Sequence, residues 1–429
     1  MNFLTDPKRQ GPVRPPVAAA ISAARVAAFE ILERVATTSD HSDDLLHGRR
    51  LAGLSQADRN LTTALVLGVL RWQIALDGRI RPLLQRPETP AQPILTALRL
   101  GAFQLLHMDR IPAHAALSES VELVRAAGQA HAAGLVNAIL RKLTRQEAVK
   151  KPLFETTAAF AERLGHPLWL VERWVANYGR AAAMAICEYD QHEPETGGLF
   201  GVEDGLPRLD DGSRLVAEIA AASVVVPKRI WDCCAAPGGK TLLLAARHPE
   251  AELLATDVSP RRLEALALRL KRDAPEARIR TVEADATALP AEEGQFDLIL
   301  CDVPCSGTGT LARNPEIRHH LRPSDLGRQV ARQTALLEAA LQRLAPGGRL
   351  VYSTCSLEPE ECEGVVAAVS LPDGVERVEV EPIVERLTLA AGQELGGSVR
   401  DGFLRTLPSL GPGSGFQGDG FFAAVFGRR

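Results

Sequence analysis

Beyond about Asp210 the chain alternates between short strand-like runs and longer helical ones, and this alternation constrains the fold more than any other feature. Ile230–Cys233, Leu253–Thr256, Phe296–Cys301 and Arg349–Tyr352 read as strands; Pro260–Arg272 and Ser324–Leu344 read as helices. Strands joined by helical crossovers build a mostly parallel, doubly wound sheet, and such sheets bind ligands at the carboxyl edge of their strands. Phe421–Phe426 is expected to add a last strand after a mobile Gly-rich loop, Gly411–Gly418.

The first third has a different period. Val26, Phe29, Leu32 and Val35 recur at helical spacing, as do Ile94, Leu98, Gly101 and Leu105, then Leu117, Val121 and Val124, then Leu135, Val136, Ile139, Leu140 and Leu143. Ser55–Asp58 resembles a capping box before the apolar stretch Leu61–Leu70. The pattern predicts an all-helical domain over residues 17–146, preceded by a flexible tail, 1–16. A helix is expected over Phe160–Tyr178 and a linker over Gly179–Pro207, so residues 147–208 join the helical domain to the sheet domain, 209–429.

Composition narrows the function. The first 150 residues carry 19 Lys and Arg against 13 Asp and Glu, whereas the rest carries 30 against 40. A basic helical domain on an acidic chain points toward nucleic acid. No apolar run approaches the ~18 residues of a membrane span, and Met1–Pro16 lacks the apolar core of a secretory leader. Seven cysteines, sparse and without a C-x-x-C pair, suit a reducing cytoplasm and offer no metal-ligand spacing.

Two of those cysteines follow predicted strands. Pro304-Cys305-Ser306-Gly307-Thr308-Gly309 comes after Leu298–Leu300, and Ser353-Thr354-Cys355-Ser356 after Leu350–Tyr352. Both thiols therefore fall at the ligand edge, where covalent chemistry on an electrophilic ring becomes feasible. The remaining strand ends look like a nucleoside site. Cys234-Ala235-Ala236-Pro237-Gly238-Gly239-Lys240 is a tight turn into a helix, with small residues that admit close backbone approach. Asp257 ends the next strand and can accept both ribose hydroxyls. Asp285 follows the third strand, in reach of an adenine amino group, and Asp302 follows the fourth. A P-loop would need glycine where Cys234 stands, and G-x-G-x-x-G is absent. Acids at successive strand ends, with no phosphate grip, suit S-adenosylmethionine. Thiolate addition at carbon 6 of a cytosine would make its carbon 5 able to accept a methyl group. Cys355, Asp302 and Cys305 can supply the nucleophile, the contact to the N3/N4 edge and the base.

These segments resemble the RsmB (Sun/Fmu) branch of the RNA cytosine-C5 methyltransferases. The match rests on Cys234–Lys240, Asp302–Gly309, Ser353–Glu361 and the ending Asp419-Gly420-Phe421-Phe422. The resemblance implies a Rossmann-like class I S-adenosylmethionine-dependent α/β methyltransferase domain. It makes Cys355 the nucleophile and Cys305 the residue that assists proton removal and product release. It assigns Asp257, Asp285 and Asp302 to the cofactor side. Gly134–Arg141 is similar to the NusB-like RNA-binding domain of that branch, so the all-α first third is expected to be NusB-like. The implied partner is RNA, 16S ribosomal RNA above all, on a monomeric cytoplasmic enzyme without metal or membrane. Arg141, Lys142, Arg145, Arg313 and Arg318 are the candidate RNA contacts. The family's small RRM-like subdomain is expected to be reduced or missing, because only Gly179–Pro207 occupies its place. Competing readings are methylation of transfer or other RNA, a non-catalytic RNA-binding or assembly factor, and a nucleotide-dependent enzyme using Gly239-Lys240-Thr241.

Overall fold

The computed structural model describes residues 21–429 except 39, 49–50, 85–89, 147–154, 195–197, 204, 396 and 410–417. The expected tail and nearly all of the expected Gly-rich loop lie outside the described residues. The chain divides into two units.

The first unit, residues 1–37, 45–66 and 79–148, is helical wherever it has regular structure. Its helices are α1 (Ala23–Thr37), part of α2 (Ser42–Leu46), the two ends of α3 (Gln56–Ile80), α4 (Gln92–His107), α5 (Ala113–Ala126) and α6 (Ala133–Leu143). Of the apolar positions that suggested helices, Leu32 and Val35 in α1, Ile94 and Leu98 in α4, Val124 in α5, and Val136, Ile139, Leu140 and Leu143 in α6 are buried; Val26, Leu105, Leu117 and Val121 are half-buried, and Leu135 is exposed. The Ser55 hydroxyl accepts from the Asp58 N–H (3.1 Å) and donates to the Asp58 carboxylate (2.7 Å), capping α3 as expected.

The second unit, residues 38–44, 67–78 and 149–429, is an α/β domain. Its helices are α7 (Thr157–Arg163), α8 (Leu168–Tyr189), α9 (Asp211–Ser223), α10 (Gly239–Arg247), α11 (Pro260–Asp273), α12 (Ile317–His320), α13 (Pro323–Leu341), α14 (Glu363–Ala368) and α15 (Glu381–Val384). Its strands are β1 (Arg229–Asp232), β2 (Glu252–Asp257), β3 (Ile279–Glu283), β4 (Phe296–Asp302), β5 (Leu344–Thr354), β6 (Val375–Val378), β7 (Val399–Arg400), β8 (Phe403–Arg405) and β9 (Phe422–Arg428). The sheet order is β3-β2-β1-β4-β5-β9-β8-β7, with β6 also on β9. β1 to β5 pair in parallel, and β9 runs antiparallel to β5.

The central strands alternate between two apolar layers. Ile230, Leu298, Leu300 and Val351 face one layer, while Trp231, Ile299, Cys301 and Tyr352 face the other. Period-2 alternation with both faces buried is what a parallel sheet covered by helices requires. A third cluster joins α7 and α8 to Leu311 and Leu357, which belong to the loops after β4 and β5.

Two expected boundaries move. The helix expected over Phe160–Tyr178 is broken at Gly165-His166-Pro167, where Gly165 has φ +67°. Its second part runs on to Tyr189, past a left-handed Gly179, into the stretch read as linker. Burial of Ala183, Ile186 and Cys187 at helical spacing holds that extension. Among the described residues no helix is long and apolar enough to cross a membrane.

Candidate active site

Parallel pairing of β4 with β5 places Asp302 opposite Ser353, so the loops that follow leave the sheet side by side. The Cys305 and Cys355 thiols lie 3.2 Å apart as free cysteines. The loops also cross at a glycine: the Gly309 N–H donates to the Cys355 carbonyl (2.9 Å), and the Gly420 N–H donates to the Gly309 carbonyl (2.7 Å). A Cβ on Gly309 would stand 2.2 Å from the Gly420 oxygen and 2.8 Å from the Cys355 oxygen. Only glycine permits this approach.

Asp302 sits between a hydroxyl and an ammonium. The Ser353 hydroxyl donates to its Oδ1 (2.7 Å), and Lys240 Nζ lies 2.8 Å from its Oδ2. Lys240, on the first turn of α10, also donates to the Ser213 hydroxyl of α9 (3.0 Å). Burial opposes the charge on Lys240, but Asp302 outweighs it and holds the ammonium pKa above the ordinary lysine value. The ammonium is thus committed to the fourth strand end, which removes the phosphate-gripping role that Gly239-Lys240-Thr241 suggested. At Cys355 the hydrogen bond with Cys305 and burial push the thiol pKa well up, while Lys240 pulls it down. Cys355 therefore rests as a thiol, and its ionisation draws on that ammonium.

The first turn is built to bring backbone close to a ligand. The Ala235 N–H donates to the Thr256 carbonyl (2.8 Å), tying the turn to the end of β2. Gly238 has φ +94°, and a Cβ there would meet the Leu266 side chain at 2.2 Å. Beneath it, the Thr241 hydroxyl donates to buried Asp232 (2.7 Å), whose carboxyl burial pushes up to about 7. Asp257 is buried and accepts from the Ser259 N–H (2.9 Å). Asp285 is exposed, and hydrogen bonds from the Thr287 N–H and hydroxyl lower its pKa.

These groups share one cavity of about 530 Å³. Its lining includes Cys234, Ala236, Asp257, Asp285, Asp302, Cys305 and Cys355. Of the candidate cofactor turn, Ala235, Pro237, Gly238, Gly239 and Lys240 are not part of that lining. Ala235 is committed to β2, the two glycines are pressed against Leu266 and Leu209, and Lys240 turns to Asp302. They shape the turn. The cavity fits a nucleoside carrying a sulfonium: acids stand at three strand ends, and the nearest buried cation is already paired with one of them.

The candidate RNA contacts divide. Arg141, Lys142 and Arg145 are exposed at the end of α6. Arg318 is 2% exposed, and its Nη groups donate to the carbonyls of Arg71, Gly165, Leu311 and Asp190. Buried so, it does not face RNA; it crosslinks four backbone carbonyls from separate segments, which corrects the expectation. Arg313 is half-buried, and its Nε donates to buried Asp419 (2.7 Å) just before β9, which ties it to the fold. An arginine spaced a few residues past a catalytic loop gives no local sign of whether it turns inward.

A family model described as 16S rRNA methyltransferase RsmB/F matches residues 224–427, and a NusB family model matches residues 22–145. Ribosomal RNA small subunit methyltransferase B of Xanthomonas campestris pv. campestris is 34% identical over 392 residues, covering 81% of this chain and 84% of that protein. The protein of the same name from Salmonella enteritidis PT4 is 32% identical over 412 residues, covering 86% and 91%. The solved structure of PH0851 shares the fold, with a TM-score of 0.70 at 20% identity over 95% of this chain and 99% of that one. With more than 80% of both curated relatives matched by this chain at above 30% identity, the chain belongs to the ribosomal RNA small subunit methyltransferase B family.

Proposed function

We propose that this protein transfers a methyl group from S-adenosylmethionine to carbon 5 of a cytosine in RNA, with 16S ribosomal RNA as substrate and the cytoplasm as its place of action. The observation that carries the reading is the pair of thiols 3.2 Å apart in one cavity with Asp302, whose carboxylate Lys240 holds. When bound, S-adenosylmethionine supplies an electrophilic methyl group, and Asp257 and Asp285 are the residues to hold its ribose and adenine. A cytosine must leave any base stack to reach the thiols.

Cys355 gives its proton to solvent and bonds as the thiolate to carbon 6 of the base, and the electron pair of the C5–C6 double bond becomes available at carbon 5. The Asp302 carboxylate accepts from the exocyclic amino group, and Lys240, behind the cavity wall, holds that carboxylate in place. After carbon 5 gains its methyl group, the Cys305 thiolate takes the carbon 5 proton and becomes the thiol. The C5–C6 double bond then re-forms, and the bond from Cys355 to carbon 6 breaks to return the thiolate. The helical unit, with Arg141, Lys142 and Arg145, is the RNA-holding part.

Two variants test the reading. Cys355→Ala is expected to bind S-adenosylmethionine by calorimetry yet transfer no methyl group; turnover by this variant removes Cys355 as nucleophile. Cys305→Ala is expected to accumulate an RNA–protein adduct that survives denaturing electrophoresis, and absence of the adduct removes its release role. Bisulfite sequencing of ribosomal and transfer RNA from a deletion strain identifies the substrate; loss of methylation in transfer RNA alone overturns the 16S assignment.

A further inference from the structure

A carboxylate outside the reacting set joins the two loops that carry the thiols. Glu361 is 0% exposed. One of its oxygens accepts from the Ser306 N–H (2.9 Å) and from Gln333 of α13 (2.8 Å). The other accepts from the Ser306 hydroxyl and from the Ser356 hydroxyl (2.6 Å). Ser306 directly follows Cys305, and Ser356 directly follows Cys355. The two serine oxygens lie 3.0 Å apart, but each hydroxyl has a single proton and both point to Glu361. The loops are therefore joined through the carboxylate. Gln333 extends the clamp by donating to the Pro304 carbonyl (3.0 Å), on the other side of Cys305. The Glu361 backbone is itself fixed, because the Tyr352 hydroxyl donates to its carbonyl (2.7 Å).

We propose that Glu361 is a positioning residue that sets the separation of the Cys305 and Cys355 thiols. The proposal rests on the roles assigned to those thiols above. A carboxylate suits the task because it accepts up to four hydrogen bonds and donates none, so four donors from two loops and a helix converge on it without competition.

The test reads thiol spacing apart from catalysis. Phenylarsine oxide bridges two adjacent thiols with loss of water, and its affinity falls when they separate. Cys305→Ala supplies the background from Cys233 and Cys301, which are buried beside each other. Glu361→Ala is expected to weaken phenylarsine oxide binding about tenfold and to slow single-turnover methyl transfer about 10²-fold, the scale set by a ~1 Å misplacement of reacting groups. Glu361→Gln is expected to recover most of both, because its carbonyl accepts from the Ser306 N–H and Gln333 while its amide donates to the rotatable serine hydroxyls. A merely stabilising role would lower the melting temperature of Glu361→Ala and leave arsenical affinity in the folded protein unchanged.

Wild-type arsenical affinity and rate in Glu361→Ala overturn the proposal. If that variant does not fold, Ser306→Ala/Ser356→Ala serves instead, with weakened arsenical binding expected and wild-type binding overturning the proposal. Turnover by Cys355→Ala would sink the catalytic reading while leaving the arsenical result to stand for the clamp.

Discussion

Replacing Gly309 with alanine tests whether the crossing of three loops holds Cys355, the proposed nucleophile, in place. The added Cβ would lie 2.2 Å from the Gly420 oxygen and 2.8 Å from the Cys355 oxygen. Carbon and oxygen in favourable contact sit no closer than about 3.3 Å, so one backbone segment must retreat by about 1 Å. Neither obstacle is the free end of a flexible side chain. Overpacking of this kind costs about 1–3 kcal/mol. The same shift strains the hydrogen bonds from Gly309 to Cys355 and from Gly420 to Gly309. Losing one adds about 0.5–1.5 kcal/mol, for a total of about 1.5–4.5 kcal/mol. Urea unfolding followed by tryptophan fluorescence measures it, because Trp72, Trp169, Trp174 and Trp231 all belong to the second unit. Gly327→Ala is the control: its Cβ meets nothing within 4 Å inside α13, and the exchange should stabilise by about 0.5–1 kcal/mol. A Gly309→Ala protein with the wild-type urea midpoint and single-turnover rate refutes the reasoning.

Exchanging Arg141, Lys142 and Arg145 together for glutamine should reduce the slope of log affinity against log salt for RNA by about 2, if each neutralises one phosphate at ~0.7–0.9 per contact. An unchanged slope places the phosphate contacts elsewhere. Asp232 should make stability pH-dependent. Its folded carboxyl titrates at about 7 against an ordinary value of 3.8, so the stability it contributes is complete below about 4 and is lost as pH rises toward 7. Asp232→Asn removes that loss and should gain on the wild type between pH 5 and pH 8 in urea midpoints. Parallel pH dependence in the two proteins contradicts a proton held on Asp232.

The legible part of this protein is what local chemistry encodes. Strand patterning at Ile230, Leu298 and Val351 specifies which face each residue takes, because neighbouring side chains in a strand alternate whatever lies beyond. The turn chemistry of Gly238 and Gly239 marks a strand-to-helix corner, and parallel strands bring successive carboxyl ends to one edge. Those facts put Cys305, Cys355 and Asp302 along one edge, where two thiols could meet, and the pairing of β4 with β5 brings them together. Arg318 was misread for the same reason that it was noticed: a cation near a catalytic loop looks alike in sequence whether it meets phosphate or four carbonyls. Helix α8 outran its expected end because burial of Ala183 and Ile186 overrode the left-handed break at Gly179.

The sequence by itself thus determined a helical unit, a parallel sheet and two cysteines at its ligand edge. Tertiary structure alone decided that Lys240 turns to Asp302 and that Glu361 reaches Ser306, 55 residues before it. The physical reason lies in range. Backbone periodicity is set by neighbours, whereas a buried polar group takes whichever partner the packed fold brings within about 3 Å, and no local pattern records that choice.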